Sequence, residues 1–245
     1  MTIETYKTTP QGDLSLHCFF SPASAPRPAI VFFFVGGWQT GSPAQFYPQA
    51  EHFASLGFFA AAAEYRVHSR HGTFPSHAVR DAVSAVRWLR QNARRFNIDP
   101  CKIYSGGGSA GGHIAAAAAL CRGFDEPGED ASVSSRPDAL VLFNPAVDNG
   151  PTGYSTLIDV PWETISPLHN ITPDAPPSVF FLGDRDTIVP VSCAHAWRDR
   201  LSQCGVRCDL HLYEGYGHGF FNPREDDMFP YRDTLAKAVA FVSAL

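Results

Sequence analysis

The sequence predicts one α/β domain, with a mostly parallel central sheet and helices on both of its faces. Three observations support this. Continuous apolar runs of strand length, such as residues 29–35 and 58–64, indicate strands that are covered on both faces. Segments with helical spacing of apolar residues, the longest at residues 76–96, alternate with these runs. The length of 245 residues suits one such domain, so residues 1–245 are assigned to it.

A predicted antiparallel hairpin opens the chain. Its strands, residues 5–8 and 14–20, flank the turn sequence Pro10-Gln11-Gly12-Asp13. The first buried strand follows at residues 29–35 and stops at the tight turn Gly36-Gly37-Trp38. The hairpin gives the sheet an antiparallel beginning, before the predicted parallel strands.

A helix, a strand and a second helix come next. The first helix, around residues 47–56, leads into the buried strand 58–64, and Pro75 then opens a long helix over residues 76–96. Apolar residues of the long helix recur at helical spacing, whereas its arginines fall largely on the other face. The sequence Asn97-Ile98-Asp99-Pro100 ends this helix, which is predicted to lie on the sheet.

Ser109 lies at a junction of strand, turn and helix. Ile103 and Tyr104 favour a strand, glycines mark the turn, and the alanine-rich apolar run after it favours a helix. Gly107, Ser109 and Gly111 satisfy the G-x-S-x-G pattern, in which neighbours without Cβ atoms let strand and helix approach closely around a nucleophilic serine. A glycine-rich loop without catalytic function and a phosphate-binding loop are the alternatives. The second alternative lacks the Lys-Ser/Thr ending of a P-loop.

Five further elements complete the predicted domain. They are a strand at 139–143, a strand at 179–183, a helix at 191–204, a strand at 208–213 and a helix at 231–245. Residues 148–177, between the first two of these strands, are rich in Pro, Thr and Ser and long enough to cover a site, so they form a possible short lid insertion. Alternating strands and helices imply right-handed crossovers and a ligand site beyond the carboxyl ends of the strands.

Composition argues against several classes of function. The net charge is -5 and no basic run is present, which argues against nucleic acid or an anionic membrane surface as a partner. No apolar run approaches the ~18 residues of a membrane span. Residues 1–7 lack the features of a signal peptide, so a cytoplasmic location is expected. The six cysteines show no C-x-x-C spacing, and neither a metal site nor a cofactor is predicted.

A serine nucleophile requires a base within hydrogen-bond reach and an acid that orients the base. Asp186 and His218 follow the last two predicted strands of the chain. Both therefore lie at carboxyl ends of strands, on the same edge of the sheet as Ser109. Asp184 and Asp148 are alternative acids. The order Ser, Asp, His is the one that this kind of strand-to-helix turn demands.

With these residues in place, the chain resembles the α/β-hydrolase fold, and within it the esterases of the hormone-sensitive-lipase-like and carbohydrate acetyl esterase type. The matching residues occur in the family's order and span most of the chain. They are Gly36-Gly37-Trp38, Tyr65-Arg66, Phe74-Pro75, Asp81-Ala82, Trp88-Leu89, the G-x-S-x-G turn, Gly183 with Asp186 and Val189-Pro190, and Gly217-His218-Gly219-Phe220.

The resemblance implies that Ser109 is the nucleophile, that His218 is the general base and then the general acid, and that Asp186 orients His218. The family's spacing, with the acid three residues past Gly183, favours Asp186 over the two rival carboxylates. Backbone amides would form the oxyanion hole, and these belong to Gly36, Gly37 and Ala110.

The chain departs from the family's pattern in two places. The family has His-Gly-Gly-Gly where this chain has Phe34-Val35-Gly36-Gly37, so the histidine that braces this loop is absent. No large cap domain is expected, because the hairpin begins within a few residues of Met1, and an open site follows. Aromatic residues flank the catalytic loops and form either part of the core or an acyl pocket and a platform for sugar rings. They are Trp38, Phe46, Tyr47, Phe220 and Phe221.

By this resemblance we expect a serine carboxylic-ester hydrolase that forms an acyl-enzyme and removes short acyl groups, acetyl first. The expected substrate is a small-molecule or oligosaccharide ester, on a carbohydrate or similar polar alcohol. A Ser-His-Asp triad also supports acyl transfer from other bonds, so a peptidase, a formamidase and a thioesterase are alternatives. A non-catalytic ligand-binding protein of the same fold is a further alternative, from a different class.

Overall fold

The computed structural model describes residues 1–151 and 153–245, and Thr152, within the predicted lid insertion 148–177, lies outside the described residues. In these residues, eight strands join one sheet, in the order β1-β2-β4-β3-β5-β6-β7-β8. Their bounds are β1 Thr2–Thr9, β2 Gly12–Phe19, β3 Arg27–Phe33, β4 Phe59–Ala63, β5 Ile98–Gly108, β6 Ala139–Phe143, β7 Ser178–Gly183 and β8 Cys208–Tyr213.

The sheet begins antiparallel and continues parallel. Strand β1 pairs antiparallel with β2, and β2 pairs antiparallel with β4, whereas β4, β3, β5, β6, β7 and β8 are all parallel. The predicted hairpin and mainly parallel sheet are therefore confirmed. Strands β4, β3, β6 and β7 are buried along nearly their whole lengths, as is β5 from Ile103 to Gly108, because helices cover both faces.

Helices connect the strands. Their bounds are α1 Tyr47–Ser55, α2 His68–His71, α3 Pro75–Gln91, α4 Ala93–Phe96, α5 Ala110–Leu120, α6 Trp162–Ile165, α7 Val191–Gln203 and α8 Phe229–Ser243, with short 3-10 turns at Pro43–Phe46 and Pro167–Asn170. In the described part of the chain, no helix combines the length and the apolar character that a bilayer crossing requires.

The long helix predicted over residues 76–96 is divided in two. Helix α3 ends at Gln91, and the single turn of α4 follows. Asn92 lies between them with φ of -97° and ψ of 11°, and its side-chain amide donates to the carbonyl of Trp88 at 2.9 Å. Asparagine side chains compete with the backbone for such bonds, which explains the interruption.

Helix α5 is buried on all sides. Every residue from Ala110 to Leu120 is inaccessible or nearly so, and five consecutive alanines occupy positions 115–119. This helix packs against β5 and α3, and its small side chains let the backbones approach. The alanine-rich run therefore reflects a central position in the fold.

A buried cluster of charges joins the hairpin to the helical layer. The Asp81 carboxylate, fully buried on α3, accepts from Lys7 Nζ of β1 at 2.8 Å and from Arg66 Nη2 at 2.6 Å. The backbone amide of Arg66 also donates to Asp81 at 2.9 Å. Glu126 lies 2.6 Å from Lys7 and adds a second carboxylate. Each cation thus has a close anionic partner in the interior.

Replacement of Asp81 by alanine is expected to lower the free energy of unfolding by about 3–5 kcal/mol, because it leaves two buried cations with one half-exposed partner. Urea unfolding at an unchanged m-value measures this loss. Glu4→Ala serves as the control, since it removes a surface pair in which Arg95 is 55% exposed. That change is expected to cost less than about 1 kcal/mol, and equal losses in the two variants would contradict the structural role of Asp81.

Candidate active site

Ser109 occupies a strained turn between β5 and α5. Its φ is 52° and its ψ is -118°, a conformation that side chains other than glycine adopt at a cost of roughly 1–3 kcal/mol. Backbone bonds hold it there. The Ser109 amide donates to the carbonyl of Phe143 at 3.0 Å, and its carbonyl accepts from the amides of Ala146 and His113 at 3.1 and 2.9 Å. The turn predicted from the G-x-S-x-G pattern is thus present.

The two glycines of the pattern are required by close backbone contacts. A Cβ atom on Gly111 would lie 2.0 Å from the carbonyl oxygen of Phe33, and one on Gly107 would lie 2.6 Å from the carbonyl carbon of Gly111. No real side chain fits at such distances. Glycine at both positions lets the first turn of α5 rest directly on the ends of β3 and β5.

Asp186 and His218 form a hydrogen-bonded pair. Asp186 Oδ2 lies 2.7 Å from Nδ1 of His218, and Oδ1 accepts from the amides of Ile188 and Val189 at 2.8 and 2.9 Å. Burial of this carboxyl opposes its ionisation, but the hydrogen bonds from His218, Val189 and Ile188 outweigh burial and lower its pKa. The carboxylate is therefore held charged and aimed at the imidazole.

The two rival acids have other partners. Asp184 Oδ1 accepts from the amide of Gly215 at 2.7 Å, on the exposed surface. Asp148 Oδ1 accepts from the amide of Gly150 at 2.9 Å and lies 3.9 Å from Nδ1 of His169. Neither carboxylate bonds to His218, which leaves Asp186 as its acidic partner among the described residues.

His218 and Ser109 come to the same edge of the sheet. Nε2 of His218 lies 3.4 Å from Nδ2 of Asn144, the residue that directly follows the Phe143 carbonyl bonded to Ser109. Within the described ranges, the Ser109 hydroxyl and the imidazole share no hydrogen bond. Catalytic hydrogen bonds are often long or misaligned in unliganded sites and tighten when substrate is bound.

The Gly36-Gly37 turn exposes unpaired amides beside Ser109's helix. Gly36 has φ of 130° and Gly37 has φ of 60°, and the carbonyl of Gly36 accepts from the amides of Gln39 and Thr40. In the residues that the structure describes, the amides of Gly36, Gly37 and Ala110 donate no hydrogen bond. Ala110 also begins α5, where the helix dipole favours negative charge.

Tyr65 braces the loop that the family's missing histidine would brace. Its ring stacks on Phe34 with 4.0 Å between centroids, and its hydroxyl donates to the carbonyl of Phe34 at 2.9 Å. The next amide, that of Val35, donates to Oε1 of Gln45 at 2.9 Å. The Tyr65-Arg66 pair is part of the family resemblance, but this contact is not visible in the sequence, because Tyr65 is 31 positions from Phe34.

The structure places three of the five aromatic residues in the core, which is one of the two positions that the sequence leaves open. Phe46 and Phe221 are fully buried and stack on each other at 5.6 Å, with Phe221 also stacked on Phe143 at 4.7 Å. They belong to the core in this conformation and do not line a pocket. Phe220 is also buried against Tyr213.

The remaining two of the five aromatic residues, Tyr47 and Trp38, contact side chains that carry polar groups. Tyr47 is half-buried, with its hydroxyl 2.6 Å from Nδ1 of His17 on β2. Trp38 is buried between His113, at 5.0 Å, and Tyr154, at 5.5 Å. Trp38 therefore supports the wall of the site through Tyr154 and is not itself accessible.

A small cavity lies next to the Ser109 turn. Its volume is about 120 Å³, and its walls come from the loop after β6, from the predicted lid insertion and from the loop that carries Asp186. The lining residues are Ala146, Asp148, Gly153, Tyr154, Ile188, Val189, Pro190 and Cys193. Tyr154 and Cys193 could not be found from the sequence, because neither the loop of Tyr154 nor the first turn of α7, where Cys193 lies, carries a recognisable pattern.

Tyr154 connects this cavity to the predicted oxyanion hole. A Cβ atom on Gly37 would lie 3.1 Å from the Tyr154 hydroxyl, so the hydroxyl lies directly over this turn. Among the described residues it makes no hydrogen bond, although the ring is only partly exposed. A polar group is therefore free to contact a ligand at the boundary between the cavity and the Gly36-Gly37 amides.

A profile of the BD-FAE family matches residues 19–152, more than half of the chain, including the Gly36-Gly37 turn and the Ser109 turn. The chain belongs to the BD-FAE family of α/β-hydrolase serine esterases. A second profile, of the dienelactone hydrolase family, matches residues 131–242 and so reaches the Asp186 and His218 loops of this BD-FAE chain. The resemblance seen in the sequence is confirmed.

Solved structures agree with this assignment. A thermophilic esterase from Thermogutta terrifontis is 40% identical in sequence, with a TM-score of 0.94, and the match covers 99% of this chain and 93% of that one. The expected fold class is thereby confirmed.

Two curated relatives of this BD-FAE chain are named as ester hydrolases. The probable carboxylic ester hydrolase LipM of Mycobacterium tuberculosis is 31% identical over 69% of this chain and 43% of its own length. Esterase LipC of the same organism is 30% identical over 80% of this chain and 53% of its own length. The chain thus spans about half the length of the curated relatives it matches.

Proposed function

We propose that this protein is a carboxylic ester hydrolase that acts through an acyl-enzyme on Ser109, with His218 as base and then acid and Asp186 as the residue that orients His218. The observation that carries the proposal is the 2.7 Å bond between Asp186 and His218 at the sheet edge where Ser109 lies in its strained turn. Membership of an esterase family supports the same reaction.

The reaction follows from these positions. His218 Nε2 takes the proton of the Ser109 hydroxyl as Oγ bonds to the ester carbonyl carbon, and the carbonyl oxygen becomes an oxyanion. The intermediate then collapses. The bond from carbon to the leaving oxygen breaks, and His218 returns the proton to the departing alcohol. A water molecule repeats both steps on the acyl-enzyme, releasing the acid and regenerating the Ser109 hydroxyl.

Three amides support the oxyanion in this proposal. The amides of Gly36, Gly37 and Ala110 have no acceptor in the described chain, so they can donate without first breaking another bond. One such donor typically contributes about 10²–10³-fold to kcat. Tyr65 and Gln45 hold the Gly36-Gly37 turn in place through their bonds to Phe34 and Val35. These bonds replace the contact of the histidine that this chain lacks.

We propose short acyl groups, acetyl first, as the preferred substrates. The cavity meets the Ser109 turn through Ala146, whose amide donates to the Ser109 carbonyl, and it is small, at about 120 Å³, with Tyr154 in its wall. Structures of the Thermogutta terrifontis esterase hold propionate in one case and butyrate in another, which supports short chains for a relative of this similarity. The polar lining groups Asp148 and Tyr154 favour a carbohydrate or similar polar alcohol over an aliphatic one.

Residues 148–177 act in this proposal as a fixed cover. Asp159 accepts from the Ser76 amide at 3.1 Å and from its hydroxyl at 2.5 Å. Ser76 lies in the first turn of α3, where unpaired amides and the helix dipole attract a carboxylate. Asp159 therefore anchors the segment that carries Tyr154 to a central helix.

Hydrolysis rates are expected to fall with acyl length. For p-nitrophenyl acetate, butyrate and octanoate, kcat/KM should drop by about 10-fold or more from acetate to octanoate, because added methylenes exceed the cavity. Tyr154→Ala should reduce this ratio by widening the cavity, whereas Tyr154→Phe keeps the ring and should preserve it. Faster hydrolysis of octanoate by the unaltered protein would contradict the proposal.

The preference for a polar alcohol and the type of bond that is cleaved are both tested with the unaltered protein. Acetylated glucose should be cleaved faster than hexyl acetate if a polar alcohol is preferred. Release of amine from aminoacyl or formyl amides faster than release of alcohol from acetyl esters would instead favour a peptidase or formamidase. A faster reaction with acetyl thioesters would favour a thioesterase.

A further inference from the structure

Asn144 contacts the loop of His218 through both ends of its carboxamide. It follows β6, is fully buried, and has φ of 35°, which is unusual for a residue other than glycine. Its Nδ2 lies 3.4 Å from Nε2 of His218, and its Oδ1 accepts from the amide of Gly219 at 3.1 Å. A buried polar side chain in a rare backbone conformation is thus aimed at the imidazole.

The orientation of this carboxamide is decided by its neighbours. The Gly219 amide can only donate, so the oxygen of Asn144 must face it and the NH₂ group must face His218. An NH₂ group donates, so Nε2 of His218 must accept. Asp186 accepts at the other nitrogen, which must therefore carry the proton. Both partners select the neutral tautomer with hydrogen on Nδ1, the one that a general base needs.

A chain of amides continues from this contact to the Gly36-Gly37 turn. The Gly219 carbonyl accepts from Nδ2 of Asn222 at 2.8 Å, and Oδ1 of Asn222 accepts from Nε2 of Gln45 at 3.0 Å. Oε1 of Gln45 accepts from the Val35 amide at 2.9 Å. Each carboxamide has one consistent orientation, because backbone groups fix both ends of the chain.

We propose that Asn144 is a positioning residue that holds His218 as the neutral base, with Nε2 open to accept a proton. The proposal rests on the proposed function, since it assigns His218 the role of base. When Nε2 is protonated, its hydrogen faces the hydrogens of Asn144, and two donors then lie together without an acceptor. Asn144 thus keeps Nε2 as an acceptor, and Asp186 keeps the hydrogen on Nδ1.

Four other titratable groups of the surrounding elements have partners of their own. Asp184 bonds to the Gly215 amide, Tyr216 bonds to Asp227, and Asp148 bonds to the Gly150 amide. His113, on α5, bonds to the carbonyl of Ile165. Within the described residues, Asp186 and Asn144 are therefore the side chains that bond to the His218 ring, and they act on its two nitrogens in opposite senses.

The decisive variant is Asn144→Asp. Aspartate has the same shape, tolerates positive φ and keeps an acceptor for the Gly219 amide, but it places a carboxylate oxygen beside Nε2. We expect the midpoint of the acid limb of the kcat/KM profile against pH to rise by about one pH unit or more. Activity on p-nitrophenyl acetate should fall at neutral pH and recover at alkaline pH. An equal loss at every pH would show a merely structural role and overturn the proposal.

A second measurement needs no altered Asn144 and no turnover. In ¹⁵N NMR spectra of the Ser109→Ala protein at neutral pH, His218 should show a protonated Nδ1 and an unprotonated Nε2. A ring with its proton on Nε2, or a fully protonated ring, would overturn the proposal. The NMR spectrum does not depend on ester cleavage. A wrong tautomer therefore contradicts the Asn144 inference alone, whereas failure of the esterase assignment would appear as a lack of activity in the unaltered protein.

Discussion

Replacement of Ser109 by alanine is expected to lower kcat for p-nitrophenyl acetate by about a million-fold, because it removes the atom that forms the acyl-enzyme. The residual rate would come from binding and from the oxyanion amides alone. Alanine keeps a Cβ atom in the same strained backbone conformation, so the fold should be unchanged. Stopped-flow release of p-nitrophenolate and labelling by a fluorophosphonate probe both measure the loss.

Ser105→Ala provides the matched control for this experiment. Ser105 lies on β5, four residues before Ser109, and its hydroxyl donates to the carbonyl of Ala115 at 3.3 Å within the core. Its removal should leave turnover and probe labelling nearly unchanged. Turnover by Ser109→Ala at more than about one hundredth of the normal rate, with no probe attached elsewhere, would rule out the covalent mechanism.

Asp186→Asn is expected to lower kcat by about 10⁴-fold while the protein remains folded. Asparagine can still accept from the amides of Ile188 and Val189, but its NH₂ group would then donate to Nδ1 of His218. The imidazole proton would move to Nε2, where it prevents that nitrogen from accepting the Ser109 proton. A pre-steady-state measurement with p-nitrophenyl acetate would show this as a slow acylation step.

Asp184→Asn separates the effect of position from the effect of charge. It removes a carboxylate two residues away that bonds only to the Gly215 amide, and it should change kcat by less than a few-fold. A larger loss in Asp184→Asn than in Asp186→Asn would reverse the assignment of the acid.

The Asp186 charge also links stability to pH. The pKa of Asp186 is lowered by the fold, so its charged form stabilises the protein above the unfolded pKa of about 3.9. This contribution to the free energy of unfolding is lost as the pH falls through the lower pKa that Asp186 has in the folded protein.

Local sequence predicted the catalytic turn and the strands that present its partners, for physical reasons. Ser109 is flanked by glycines because β3 and α5 nearly touch there. The G-x-S-x-G pattern therefore predicts this contact from five neighbouring residues. Asp186 and His218 follow strands whose carboxyl ends must share one edge in a parallel sheet. These features depend on neighbours in sequence or on topology, and both can be read from one chain.

Contacts between distant residues could not be predicted in this way. Gln45 and Asn222 are 177 positions apart in the sequence. They meet because Gln45 lies just before α1, Asn222 precedes α8, and these two helices are in contact. Phe46 and Phe221 lie next to catalytic loops in sequence, yet their rings turn back into the core and stack. The division of helix 76–96 at Asn92 depended on one side-chain bond that periodicity does not reveal.

The alanine surface of α5 has a consequence for engineering this protein. Residues 115–119 carry the smallest side chains that still pack, on a helix with no free face, so any larger residue there must displace the sheet or α3. Libraries aimed at bulkier esters therefore have little to gain from that helix. Variation is better directed at Asp148, Tyr154 and Ile188, whose loops can be remodelled without disturbing the scaffold.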